Sequence, residues 1–268
     1  MGLIEFLQSS TLDSFLAAHP EIREIVARNP ATLPERINDP LGLLVAESAY
    51  NEKAMSYVCA VGGTVGMESP YANRFLVQSQ VMAAFSVEEG GFVQRGFLDP
   101  HSSLREFMLA TVSRILGRTP PRVPFAEQAC ERMGQVYRWE GDVPEVPDRH
   151  AAMLGAHFAS EYLAAQQEFP GLVQLFQRDQ PKLMEALRAE KESHFGFTAI
   201  AWLEGHPIVE LKHAGFAGRA AEAAAWQLED PAPFWSSFFA GFEEFCRNDA
   251  TYFTNLADSQ RNLTAVSG

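Results

Sequence analysis

Residues 206 to 213 read His-Pro-Ile-Val-Glu-Leu-Lys-His, which places His206, Glu210 and His213 at i, i+4 and i+7. On a helix those offsets share one face, so two imidazoles and a carboxylate would point into one small volume. Neutral imidazole and ionised carboxylate together suit iron, manganese or zinc. Two more pairs repeat the same residue types at helical spacing: His157 with Glu161, and Glu190 with His194. Five of the chain's seven histidines (His150, His157, His194, His206 and His213) fall within this part of the sequence. The chemistry open to such a set is metal binding or proton transfer.

Several elements must position these side chains. A helix over 180–204 would carry Glu190 and His194 in a stripe with Leu183, Leu187, Phe197 and Ala201, and a charge in an apolar stripe requires a partner. A helix over 148–168 would carry His157 and Glu161 beside Phe158, Tyr162 and Phe169, with Gly155 and Ala164 leaving room nearby. If these two helices are antiparallel neighbours, the four polar side chains meet across the pair. Gly205-His206-Pro207 reads as a helix start, opening a helix over 206–228 whose face continues through Ala217, Ala220 and Ala224. Spacing alone leaves blander readings open: hydrogen-bonded Glu-His pairs in the core, surface i,i+4 pairs, and for His206 a loop position.

The rest of the chain is punctuated in the same helical way. Ser69-Pro70, Asp179 with Pro181, and Asp230-Pro231 look like helix starts, and Ser103 with Glu106 forms a capping-box pattern. Further helices are expected over 3–28, 40–60, 70–88, 103–117, 124–139 and 232–257, with no alternating strand series. The fold class is therefore all-α, a multi-helix bundle. One domain over 1–268 is expected, with the Pro-rich loops at 117–124 and 140–147 as a seam between an N-terminal subdomain (1–117) and a core (124–257).

Composition bounds the function. The chain of 268 residues is 47% hydrophobic with 20 Phe, enough for a substantial core. A net charge of −13 argues against nucleic acid and against anionic membrane surfaces. Cys59, Cys130 and Cys246 form neither a disulfide framework nor a zinc spacing, and no targeting segment is recognisable, so the expected compartment is the cytoplasm. Signatures such as G-x-S-x-G, H-E-x-x-H and the P-loop do not occur.

His206-x3-Glu210-x2-His213 resembles the third core helix of the heme-oxygenase-like diiron oxidases, and His157-Phe-Ala-Ser-Glu161-Tyr resembles the helix before it. The resemblance covers about residues 150–220. It implies an all-α fold of roughly seven helices, with iron as the cofactor (two Fe, or a Mn/Fe pair) and dioxygen and a small organic substrate as partners. Glu161, His206, Glu210 and His213 would be ligands, with His157, Glu190 and His194 as further ligands or as the groups that orient them. That family's first core helix supplies a Glu and a His; here the region before position 120 offers Glu88, Glu89, His101 and Glu106 in another arrangement. Ferritin-like and hemerythrin-like bundles are similar in their use of Glu and His.

The function expected is a metal-dependent oxidase or oxygenase, with Phe158, Tyr162, Phe195, Phe197 and Phe216 as candidates for an apolar substrate pocket. The alternatives are a non-catalytic helical protein that binds a ligand or partner, and a metal-free enzyme using Glu and His as acid and base. A homodimer is compatible with either.

Overall fold

A computed structural model describes residues 2–93, 100–192, 196–226 and 228–266. Among them the chain is helical throughout, apart from loops and a single antiparallel residue pair, Lys191 with Thr198. Three short helices, α1 (Leu3–Ser9), α2 (Leu12–Ala18) and α3 (Glu21–Arg28), precede α4 (Pro40–Glu68). There follow α5 (Arg74–Val93), α6 (Pro100–Leu116), α7 (Pro124–Arg138) and α8 (Arg149–Leu163). A π-helical turn, Ala164–Glu168, leads into α9 (Phe169–Asp179), then α10 (Pro181–Ala189), α11 (Ala201–Ala225) and α12 (Ala232–Val266).

Local chemistry sets most of these boundaries. Pro40, Pro124 and Pro181 open their helices, where the missing N–H is no loss. Asp39 accepts from Gly42 N–H, Asp148 accepts from the N–H groups of His150 and Ala151, and Thr11 and Ser14 form a reciprocal capping box. Two expected starts are corrected. Pro70 lies in the connection after α4, which runs over Gly62, Gly63 and Gly66 to Glu68, and Ser103 lies inside α6.

Three larger corrections concern the helices around the chemistry. The expected 180–204 helix ends at Ala189. Glu190 is its C-cap, Gly196 takes a φ of 73°, and Ala199 N–H donates back to the carbonyls of Leu187 and Glu190. The helix expected to begin at His206 begins instead at Ala201 and runs through Pro207. The helix expected over 148–168 continues through the π turn, where Phe169 N–H reaches back to Ala164 O just before Pro170 removes the next donor.

One core cluster extends from Phe15 in α2 to Leu256 in α12 and includes side chains of α4, α7, α8, α9 and α11. α8 is buried on nearly every side. It crosses α12 backbone to backbone: a Cβ on Gly155 would stand 1.9 Å from Phe238 O, and one on Gly241 would stand 1.9 Å from Ala152 O. Glycine at both positions makes that approach sterically available. None of the helices, among the described residues, is long and apolar enough to cross a membrane.

Candidate metal centre

α8 and α11 pack side by side and bring the two sequence motifs together in the interior. Ligand atoms of Glu161, Glu210 and His213, one from each residue, lie within 4.8 Å of one another, and all three side chains are buried. His213 Nδ1 is 3.1 Å from Glu210 Oε2 and 3.4 Å from Glu161 Oε2. His157 Nδ1 stands 3.5 Å from Glu161 Oε1, and His206 Nε2 stands 3.9 Å from Glu210 Oε1. The five side chains thus alternate base and acid: His157, Glu161, His213, Glu210, His206.

Their surroundings fix their orientation. His206 Nδ1 contacts the carbonyl oxygen of Trp202, and its ring stacks on Phe169 at 4.2 Å between centroids. With Nδ1–H donated to that carbonyl, the Nε2 lone pair is directed toward Glu210. This contact lies in the same turn as Pro207, whose ring nitrogen cannot donate to the Leu203 carbonyl. His157 is 1% exposed, and neither of its ring nitrogens has a hydrogen-bond partner. A buried imidazole left in that condition loses free energy, which a bound cation or a water would restore.

The electrostatics follow from one cation equivalent among two carboxylates. Burial pushes the Glu161 carboxyl up, but hydrogen bonding to His213 and the charges of His213 and His157 outweigh it and hold it at about 2. Burial lowers His213, yet its bonds to Glu161 and Glu210 bring it to about 11. Glu210, buried beside the Glu161 charge, is pushed well above the usual carboxylate range despite its bond to His213. His157 is lowered, chiefly by burial, and stays a neutral ligand-type imidazole. Without an ion, the cluster therefore holds Glu161 ionised, His213 protonated and Glu210 neutral.

Beside the two carboxylates is a cavity of about 30 Å³ lined by Asn51, Ala54 and Met55 of α4, Ser160, Glu161 and Ala164 of the α8 segment, and Glu210. It has room for a molecule of the size of water or dioxygen, and none for an organic substrate. Behind the cavity wall, Tyr137 of α7 makes a short hydroxyl contact with Ser160, whose own hydroxyl donates to the His157 carbonyl at 2.9 Å.

The other candidates sit elsewhere. Glu190 is at the surface, 44% exposed and 2.7 Å from Arg114, because α10 ends before it. His194 and Phe195 lie outside the described residues, as do the side chains of Glu88, Glu89 and His101; Glu106 is exposed. Phe158 and Tyr162 stack on each other and pack against Phe15, Phe238 and Phe242, so their rings fill the α8–α12 interface rather than line the cavity. Phe197 is half-buried in the turn before α11, and Phe216 lies under the Arg219 guanidinium at 4.5 Å.

The structure also presents acids that no sequence motif marks. Glu47 of α4, Glu168 at the end of the π turn and Asp249 of α12 are all fully or almost fully buried. Each sits in an apolar stripe, Glu47 between Leu43, Leu44 and Tyr50, and Asp249 between Phe245, Cys246 and Phe253. The signal that singles out Glu190, a charge inside an apolar face, is present at these positions too. No protein-family model matches the chain, and no curated protein or solved structure shows significant similarity to it.

Proposed function

We propose that the protein is a non-heme metal enzyme, an oxidase or oxygenase that holds iron or manganese between α8 and α11 in a bundle of the heme-oxygenase-like kind. The observation that carries this reading is the buried set of Glu161, Glu210 and His213, flanked by a His157 whose ring nitrogens have no hydrogen-bond partner. Two carboxylates with imidazoles are the donor set of iron and manganese sites that keep open positions. Glu161, Glu210 and His213 would hold the ion, with His157 and His206 completing or orienting the set. A metal bound there would supply a place where dioxygen can be activated. The chain's own contribution is to hold the donors rigid, exclude bulk water and admit only a small molecule through the 30 Å³ space beside Glu161 and Glu210. The organic substrate would meet the centre from another side. A cytoplasmic setting agrees with the free thiols of Cys59, Cys130 and Cys246.

One observation favours a metal-free reading: the Glu161, His213 and Glu210 charges already balance with two protons. Metal analysis of protein expressed with added iron and manganese separates the two. Stoichiometric metal that is lost in His213→Ala supports the centre. Wild-type protein that binds neither ion sinks it and leaves a buried acid-base network.

A further inference from the structure

A surface cleft of about 640 Å³ opens between α7, α12 and the 140–147 loop. It shares no lining residue with the small cavity beside Glu161 and Glu210. Its size suits a small organic molecule, and its lining joins guanidiniums and carboxylates to an apolar wall of Phe125, Val143 and Pro144.

The polar side is built around Glu244 of α12, which is 5% exposed. One of its carboxylate oxygens accepts from Arg132 Nη2 at 2.8 Å and the other from Arg247 Nη1, so a single buried acid holds two guanidiniums in place. Arg132 Nη1 also donates to the Asp142 carbonyl at 2.6 Å and to Gln135 Oε1 at 3.0 Å, which ties the loop to α7. A guanidinium carries five N–H donors. These bonds leave Arg132 its Nε–H and one Nη2–H, and the exposed Arg247 keeps more of its own.

Asn248 is the buried amide of the lining. Its Nδ2 donates to the Tyr50 hydroxyl at 3.1 Å and to the Ala129 carbonyl at 3.4 Å. Tyr50 in turn stacks on Tyr252 with centroids 4.0 Å apart, and the Tyr252 hydroxyl donates to Glu47 Oε1 at 2.8 Å. With Nδ2 committed to the interior, Oδ1 is the Asn248 atom left to accept from a molecule in the cleft. Arg132 and Arg247 against Glu244 and Asp142 give the lining no net charge, although the chain as a whole carries −13. A complementary ligand is neutral overall and carries both signs.

We propose that this cleft binds a free α-amino acid with an apolar or aromatic side chain. Arg132 and Arg247 take its carboxylate, Asn248 Oδ1 and Asp142 take its ammonium, and Phe125, Val143 and Pro144 receive the side chain. The fixing of both guanidiniums by Glu244 lowers the ordering cost of binding. Binding is non-covalent, and the site is independent of the metal reading above.

L-Phenylalanine titrated into the full-length, metal-free protein and followed by ligand-observed NMR tests the site. The analogues 3-phenylpropanoate and phenethylamine each lack one of its two charges. L-Phenylalanine should bind with a Kd on the order of 0.1–1 mM. Each analogue should bind at least about tenfold more weakly, because it leaves one set of charged groups without its partner. Arg247→Gln and Asp142→Asn change exposed side chains, so they should leave the urea midpoint in place and weaken binding severalfold. Failure to saturate below about 10 mM, an analogue that binds as tightly as L-phenylalanine, or unchanged affinity in either variant would overturn the proposal. Since no metal is present at any stage, none of these outcomes bears on the metal reading.

Discussion

At the residue scale, each buried acid ties the stability of the fold to pH with a definite sign. Glu47 and Asp249 are raised from ordinary carboxylate values to about 8 and about 7 by burial. A raised folded-state value means the neutral form is favoured in the folded chain, so the contribution is full below the unfolded value and is lost as pH rises through the folded one. His213, raised to about 11 by its carboxylate partners, acts in the same direction at higher pH. Metal-free protein should therefore unfold at progressively lower urea as pH rises from about 5.5 to about 8.5, each titrating group removing at most about 1.4 kcal/mol of stability for every pH step of one. Glu47→Gln should flatten that decline, because an amide keeps the Tyr252 bond and cannot ionise. Urea midpoints of both proteins across this range check it; parallel curves would show that Glu47 is not the titrating group. Glu161 carries the opposite sign, since its low value adds stability that is lost only as pH falls from the carboxylate range through about 2.

At the element scale, the helix carrying His206, Glu210 and His213 sacrifices regularity for orientation. A proline inside a helix costs on the order of 3 kcal/mol, yet α11 keeps Pro207 one residue after His206. Pro207→Ala should raise the melting temperature, since the restored N–H would donate to the Leu203 carbonyl, while weakening metal binding, since a straightened turn would shift the neighbouring contact of His206 Nδ1 with the Trp202 carbonyl. Calorimetry and a Mn(II) titration on one variant read both effects; a stabilised variant with unchanged affinity would dissociate the proline from the site. α8 offers a plainer case. Gly155→Ala would press a methyl group into Phe238 O, and overpacking of this kind costs about 1–3 kcal/mol or more. The expected outcome is a lower urea midpoint, and an unchanged one would mean that the α8–α12 crossing can open without loss.

These elements also show what was legible in the sequence. The i, i+4 and i+7 spacing of His206, Glu210 and His213 and the His157/Glu161 pair were readable because helical faces obey a fixed period. The path of the chain around them was not. Pro207 carries the same signal as a proline at a helix start, although the helix begins six residues earlier, at Ala201. The stripe Leu183, Leu187, Glu190 continues past the true end of α10, because periodicity does not register Gly196 at positive φ. Glu47, Glu168 and Asp249 were visible as residue types, but their burial depends on how α4, the π turn and α12 pack, which is a property of the fold and not of any one segment.

At the scale of the whole molecule, metal binding and folding draw on the same protons. Ligands bind an ion in their deprotonated forms, so uptake at the centre should release the protons held by Glu210 and His213, and affinity should rise with pH. The stability of the metal-free chain falls over the same range, because the raised groups lose their contribution there. Because the affinity rises, the gain on metal binding grows with pH. At a free metal concentration of about 100 Kd the folded state gains about 2.7 kcal/mol, which for a chain of this size corresponds to a melting temperature rise of at least several degrees. With Mn(II) held at one fixed concentration, the rise should be larger at about pH 8 than at about pH 6, in line with proton release. Glu161→Ala should abolish it at both, since the remaining donors keep a single carboxylate. A shift that is equal at the two pH values would mean that the ion binds without displacing those protons, and hence outside the α8–α11 centre.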